Sequence, residues 1–228
     1  MNIAVILAAG SSIRTNSETP KQFSLVNNIP LFMYSVDAFL SVEEINEIYL
    51  VCSKEYLDFA AKYFKNPCKT RLKSIILGGS TRQESVKNAI DFLYENHGEN
   101  DVILIHDSAR PFVSKGIILE NLSAIRKCDA ITTADNVYDT VIESENNLEI
   151  SEYKNREKLY VIQTPQTFKL KTIYEAHKYA LENNIEATDD TKLVKQQGKE
   201  IQVVKGSRNN FKVTTKEDLE LAKILLKK

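Results

Sequence analysis

Met1-Asn2-Ile3-Ala4-Val5-Ile6-Leu7-Ala8-Ala9-Gly10-Ser11-Ser12-Ile13-Arg14 opens the chain, and Pro20-Lys21-Gln22-Phe23 follows six residues later. A continuous run of Ile, Ala, Val and Leu is the kind of strand buried on both faces of a parallel sheet. The small residues after it let backbone approach a ligand closely, with N–H groups turned outward. Arg14 and Lys21 add positive charge beside that backbone, so the segment reads as a phosphate site. Neither common phosphate loop is present. The single Gly10 satisfies neither Gly-x-x-x-x-Gly-Lys-Ser/Thr nor Gly-x-Gly-x-x-Gly.

Beyond this stretch, strand and helix patterns alternate. Strands are expected at Ile3–Leu7, Glu47–Cys52, Leu72–Leu77, Val102–His106, Ala130–Thr133, Leu159–Gln163 and Ile201–Val204. Helices are expected at Pro30–Leu40, Lys54–Phe64, Gln83–Tyr94, Lys115–Arg126, Leu170–Asn183, Asp189–Gln197 and Lys216–Leu226. Leu31, Tyr34, Ser35 and Ala38 mark one face of the first helix, and Leu219, Leu221, Ala222, Leu225 and Leu226 that of the last. Such alternation predicts an α/β fold with a mostly parallel sheet and helices on both faces. One segment breaks the rhythm. Tyr138–Ile142 and Leu148–Ile150, joined by polar Glu143–Asn147, predict a hairpin arm over about 136–156 that projects from the sheet. The whole of 1–228 is expected to form one domain carrying that arm.

Bulk properties narrow the function classes. The chain has 228 residues, 43% hydrophobic and 27% charged, ordinary values for a globular protein. Thirty basic against 31 acidic residues give a net charge of −1, which speaks against a nucleic-acid binder. Any positive patch is therefore local. No apolar run approaches the roughly 20 residues that cross a bilayer, and no signal-peptide pattern follows Met1, so no membrane association is expected. Cys52, Cys68 and Cys128 are too scattered for a disulfide framework or, with three dispersed histidines, a zinc site. A reducing cytoplasm is the expected setting.

In open α/β sheets ligands bind beyond the carboxyl ends of the strands, and the remaining motifs fall there. Gly78-Gly79-Ser80-Thr81-Arg82-Gln83-Glu84-Ser85 follows the third strand and puts Ser85 in the first turn of a helix. His106-Asp107-Ser108-Ala109-Arg110 follows the fourth. There Asp107 offers a hard carboxylate to Mg²⁺, Arg110 offers a fork to phosphate, and His106 reads as a packing residue. Gln163-Thr164-Pro165-Gln166-Thr167-Phe168 reads as a polar loop stiffened by Pro165. Lys212 sits before the last helix, for which Thr215 is the expected N-cap.

Taken in order, these motifs resemble one family along nearly the whole chain: the cytidylyltransferases acting on 2-C-methyl-D-erythritol 4-phosphate, and their sisters acting on D-ribitol 5-phosphate. Ala8-Ala9-Gly10-x-x-x-Arg14, Pro20-Lys21-Gln22, Gly78-Gly79-x-x-Arg82-Gln83-x-Ser85-Val86 and His106-Asp107-x-Ala109-Arg110-Pro111 carry the resemblance. Thr164-Pro165-Gln166-x-Phe168, Thr188-Asp189-Asp190 and Phe211-Lys212-Val213-Thr214 complete it.

The resemblance implies a Rossmann-like nucleotidyltransferase fold, a homodimer joined through the arm, and Mg²⁺-assisted transfer of a cytidylyl group from CTP to a polyol phosphate. It implies that Ala8, Ala9, Gly10, Gly79, Ser80 and Ser85 surround cytosine and ribose. Arg14 and Lys21 would hold the triphosphate and, with Lys212 and Arg156, act catalytically. Asp107 would serve metal and acceptor, with Arg110, Thr140, Thr164, Lys212 and the partner subunit's Arg156 around the acceptor. Ser12, Ser80, Ser108 and Ile142 depart from the family pattern. The methylerythritol acceptor is favoured over ribitol phosphate, because Arg82-Gln83-x-Ser85-Val86 and Thr188-Asp189-Asp190 look more like that branch. Two readings from other classes stand beside it: a nicotinamide-dependent oxidoreductase on a similar sheet, and a catalytically inactive nucleotide-binding protein. The missing glycines and the non-acidic Val51-Cys52-Ser53 weigh against the first. Arg14, Lys21, Asp107 and Lys212 weigh against the second.

Overall fold

A computed structural model describes residues 1–10, 19–65 and 70–226. Arg14, Ser12 and Cys68 lie outside them. Strand β1 (Asn2–Ala8) is the middle of the parallel part of a seven-stranded sheet. It pairs in parallel with β4 (Glu47–Cys52) on one side and β6 (Val102–Asp107) on the other, and β4 pairs with β5 (Leu72–Leu77). The sheet continues past β6 through β10 (Tyr160–Lys169), antiparallel to both its neighbours, to β7 (Ala130–Asn136) and β11 (Gln202–Lys205). The order β11-β7-β10-β6-β1-β4-β5 makes the sheet mostly parallel, as the alternating pattern predicts.

Because successive strand residues point to opposite faces, β1 feeds two cores. Ala4, Ile6 and Ala8 face helices α1 (Leu31–Leu40), α2 (Leu57–Phe64) and α4 (Lys115–Ala124). Ile3 and Val5 face α3 (Arg82–Asn96), α5 (Leu170–Glu182) and α6 (Asp190–Gln196). Every residue from Ile3 to Ile6 is fully buried, which explains the unbroken apolar run. Helix α7 (Lys216–Leu225) packs on a third, small cluster of Val26, Leu31, Val213 and Ala222. Its N-terminus is held by a capping box: Thr215 accepts from the Asp218 N–H while Asp218 accepts from Thr215.

Several expectations are corrected. Gln163–Phe168 is the buried middle of β10, not a loop. A proline inside a central strand argues against a strand because it has no N–H for the ladder. Here a register shift between Gln163 and Gln166 takes Pro165, which follows a cis peptide, out of the ladder, and its carbonyl accepts from the Thr133 hydroxyl at 2.7 Å. The arm has only two short strands, β8 (Ile142–Glu143) and β9 (Glu152–Tyr153), rather than paired strands at Tyr138–Ile142 and Leu148–Ile150.

A hairpin unread in the sequence, β2 (Leu25–Val26) with β3 (Ile29–Pro30), turns on Asn27 and Asn28, both at positive φ. The α1 face also differs. Phe32, Val36 and Phe39 are fully buried, whereas Tyr34 and Ala38 are only half-buried, because α1 is covered on two sides. On α7, Ala222 is buried while Leu221 and Leu225 are exposed, since the cluster beneath it is too small to cover a full stripe. No helix among the described residues is long and apolar enough to cross a membrane.

Candidate active site

Strand β1 is followed by β4 and β5 on one side, and the chain then returns to the other side as β6. At that reversal the loops after β1, β5 and β6 splay apart, and the carboxyl ends of the strands open into a crevice. A cleft of about 550 Å³ lies there. Leu7, Ala9 and Gly10 come from β1 and its loop, and Gly79 to Arg82 and Ser85 from the β5–α3 turn. Asp107 to Ala109 come from the end of β6, with Lys21, Gln22, Lys212 and Thr214 closing the sides.

Local chemistry sets each loop. Gln22 donates from Nε2 to the carbonyls of Ala8 at 3.0 Å and Gly10 at 2.6 Å, so the loop after β1 is pinned by a side chain 12 to 14 residues later. Gly78 has to be glycine: a Cβ there would lie 2.3 Å from the Ala9 Cβ, so the two loops touch backbone to side chain. Ser85 accepts from the Gly79 N–H at 3.0 Å and donates to the Thr81 carbonyl at 2.8 Å, fastening the turn to helix α3. Ser80 donates from both its N–H and its hydroxyl to the Glu84 carboxylate.

The floor is ionic. Asp107 receives the Lys212 ammonium at 2.7 Å and faces Arg82 Nε at 3.5 Å. Burial alone would push the Asp107 carboxyl up, but Arg82 and Lys212 outweigh it and hold it well below the usual range. Arg82 reaches on to Asp190 at 2.8 Å, and the two carboxylates overcome the effect of burial, so the guanidinium stays charged. Lys21 donates to the Thr214 carbonyl at 2.7 Å, which aims it across the cleft from the glycine turn.

Of the residues expected at a site, Ala9, Gly10, Lys21, Gly79, Ser80, Ser85, Asp107 and Lys212 come together here. Ala8 is buried behind its loop. Thr164 is also buried. Its hydroxyl accepts from the Asp107 N–H at 3.1 Å and lies 2.9 Å from His106 Nδ1, so it underpins Asp107 rather than lining the cleft. Arg110 turns away to the carbonyls of Asn210 and Ile162. Thr140 and Arg156 are exposed on the arm, where Arg156 donates to the Tyr138 carbonyl at 2.9 Å. His106 is a packing residue, fully buried against Phe39. Burial pushes its pKa down to about 4.

Gln22 and Arg82 were not assigned a role from the sequence, although both sit inside motifs. The signal was their position: polar side chains flanking Lys21 and Gly79 at the carboxyl edge of the sheet.

A cationic cleft over small-residue loops at a strand-order reversal places the chain among the α/β nucleotidyltransferases. The family model IspD, 2-C-methyl-D-erythritol 4-phosphate cytidylyltransferase, matches residues 2–228. The chain belongs to that family. It is 37% identical over 227 residues to the 2-C-methyl-D-erythritol 4-phosphate cytidylyltransferase of Clostridium tetani, covering 100% of this chain and 91% of that one. It is 40% identical over 222 residues to the enzyme of the same name from Thermosipho melanesiensis, covering 97% and 96%. The crystal structure of 4-diphosphocytidyl-2C-methyl-D-erythritol synthase from Anaerococcus prevotii superposes with a TM-score of 0.85 at 30% identity, over 100% of this chain and 98% of that one.

Proposed function

We propose that this protein joins CTP to 2-C-methyl-D-erythritol 4-phosphate. An oxygen of the acceptor phosphate attacks the α-phosphorus of CTP, the bond to the bridging oxygen breaks, and pyrophosphate leaves. The observation that carries the reading is the convergence of Lys21, Arg82 and Lys212 with Asp107 in one cleft, in a chain of this family. The acceptor phosphate is already an anionic nucleophile, so no strong base is needed. The difficulty is uniting two polyanions and stabilising the charge that grows on the attacked phosphorus and the leaving pyrophosphate. Lys21 and Lys212 both line that space, and Arg14, outside the described residues, is assigned to the same triphosphate by the family's motif.

A divalent cation fits as a shared group rather than a caged one. Among the described residues no cluster of three or more His, Cys, Asp or Glu could hold a metal by itself. Among the described residues Asp107 is the one carboxylate lining the cleft, and Mg²⁺ is commonly bound by one or two carboxylates together with substrate phosphates. When bound, the ion would neutralise phosphate charge and hold the triphosphate in line.

The arm supports a homodimer. Leu148 is 88% exposed, and Ile142, Ile150 and Tyr153 are exposed beside it. A two-stranded hairpin is marginal in water by itself, and a second copy across a two-fold axis supplies a self-complementary cover. Such a dimer would carry Arg156 into the neighbouring cleft, next to the acceptor phosphate. A cytoplasmic setting is part of the same proposal: among the described residues Cys52 and Cys128 are free thiols, the state a reducing compartment keeps.

Pyrophosphate release tests the reading, using CTP or UTP with methylerythritol 4-phosphate, ribitol 5-phosphate, erythritol 4-phosphate and glycerol 3-phosphate. The expected result is turnover with CTP and methylerythritol 4-phosphate above every other pair. Equal use of CTP and UTP would show that the loops at Ala8–Gly10 and Gly78–Ser80 do not read the base.

A further inference from the structure

We infer that His177, two side chains removed from the cleft, is a positioning residue for the Arg82–Asp107 pair. The inference rests on the cytidylyltransferase reading and assigns His177 a share in the use of the acceptor. A chain of alternating charge runs inward from the cleft through Lys212, Asp107, Arg82 and Asp190, and ends on the imidazole of His177. Both members of its inner end are buried, with Asp190 side-chain exposure of 1% and His177 of 2%.

A buried carboxylate is stable only when its oxygens are satisfied. Asp190 meets that condition in part: Oδ1 is hydrogen-bonded, whereas Oδ2 is in ion-pair contact without hydrogen-bond geometry among the described residues. Oδ2 lies 2.8 Å from Arg82 Nη1, and Oδ1 lies 3.2 Å from His177 Nε2. Burial would raise the Asp190 pKa, but Arg82 and His177 reverse it, so the carboxylate stays ionised. The other ring nitrogen, His177 Nδ1, is buried with no partner among the described residues. Facing an ionised carboxylate, Nε2 is the nitrogen that donates, and Asp190 is the partner it has.

The consequence follows from the spacing. Arg82 is shared between two carboxylates and is held more tightly by Asp190, at 2.8 Å, than by Asp107, at 3.5 Å. Whatever fixes the plane of the Asp190 carboxylate therefore fixes the guanidinium, and with it one side of Asp107. His177 is that fixing group. The flanking residues are tethered separately, Gln166 Nε2 donating to Asp189 Oδ1 and Thr191 Oγ1, both at 3.4 Å. Gln166 accepts the Asp190 N–H at 3.2 Å, while Gln83 donates to the Ile185 carbonyl at 2.9 Å and accepts from the Ala187 N–H at 2.9 Å. These hold the loop in place and leave the rotation of the carboxylate to His177.

The test compares full-length wild type with His177→Leu, His177→Asn and His177→Gln by steady-state kinetics for each substrate, by thermal unfolding, and by the crystal structure of His177→Leu. The expected result for His177→Leu is a loss on the order of tenfold in kcat/KM for the acceptor, the size typical of coupling through a side-chain network, with KM for CTP changed less than about twofold. His177→Gln, whose Nε2 can reach Asp190, should recover most of the loss, and the shorter His177→Asn should not. Unchanged kinetics in a folded His177→Leu would overturn the proposal. So would equal losses for both substrates with a lowered melting temperature and no recovery in His177→Gln, which is the signature of a purely structural residue. If His177→Leu fails to fold, the contrast between Gln and Asn decides. If wild type itself releases no pyrophosphate, the functional reading falls, and the crystal structure still judges this one: Arg82 unmoved between Asp190 and Asp107 would refute it.

Discussion

Lys21 and His106 show how one strand edge gives two side chains opposite tasks. Lys21 stands at the cleft wall, held by the Thr214 carbonyl, where charge would grow on the triphosphate. Lys21→Ala should lower kcat by on the order of 100-fold, because a fixed cation at developing charge acts chiefly on the transition state. A folded variant that lost only CTP affinity at unchanged kcat would assign Lys21 to ground-state binding. His106 is sealed beneath the same edge. Its Nε2 lies 3.1 Å from the Arg110 carbonyl, which can only accept, so that nitrogen carries the proton. Nδ1 then accepts from the Thr164 hydroxyl at 2.9 Å. With a folded pKa of about 4 against roughly 6.5 unfolded, the unfolded chain binds the extra proton between those values. Its stabilising contribution is thus complete above about pH 6.5 and is lost as the pH falls toward 4, on the order of 3 kcal/mol in all. Urea denaturation from pH 7.5 to 4.5 should show this slope, and His106→Gln should flatten it.

Elements carry the next level. Helix α7 is short, and Lys212 and Thr214 lie just ahead of it, so its N-terminus helps to fix the part of the cleft they line. Thr215→Ala removes one half of the capping box and should destabilise the protein by about 1 kcal/mol, read from chemical denaturation at unchanged m-value. The arm makes a different demand. If each cleft takes Lys21 from one chain and Arg156 from the other, mixing folded Lys21→Ala with folded Arg156→Ala gives mixed dimers containing one intact site. Recovery of activity on mixing is expected. Its absence after proven subunit exchange would put Arg156 in its own chain's cleft or in none. The arm was legible as an interruption in the strand–helix rhythm, yet its pairing was not, because strands two residues long leave almost no periodic signal. The first part of β10 matches the strand expected at Leu159–Gln163, but its polar, proline-bearing continuation to Phe168 describes a loop, and only neighbours on both sides make it a strand.

For the whole molecule, the reversal of strand order beside β1 decides where a ligand can sit. A nucleotide that enters this cleft bridges loops after β1, β5 and β6, none of which is adjacent in sequence. Binding should therefore stabilise the fold as a unit. At CTP one hundred times its dissociation constant the gain is about 2.7 kcal/mol, visible as a raised melting temperature. NAD(H) at the same concentration should leave the melting temperature unchanged.

The division between sequence and tertiary structure is physical. Periodicity and burial are local, so the run Ile3–Leu7, the alternation of strands and helices, and the cap at Thr215 declared the α/β sheet. Small residues and cations at the strand ends marked residues that meet in the cleft, and the resemblance carried by those motifs pointed to the family. What Thr164, Arg110 and Arg82 do could not be read locally. Each sits in a motif, but its partners, Asp107 and His106, Asn210 and Ile162, and Asp190, lie 52 to 108 positions away in the chain. Tertiary structure alone turned Thr164 under the carboxylate, Arg110 toward backbone carbonyls and Arg82 between two acids, because a buried polar group takes whichever partner the packed fold brings within reach.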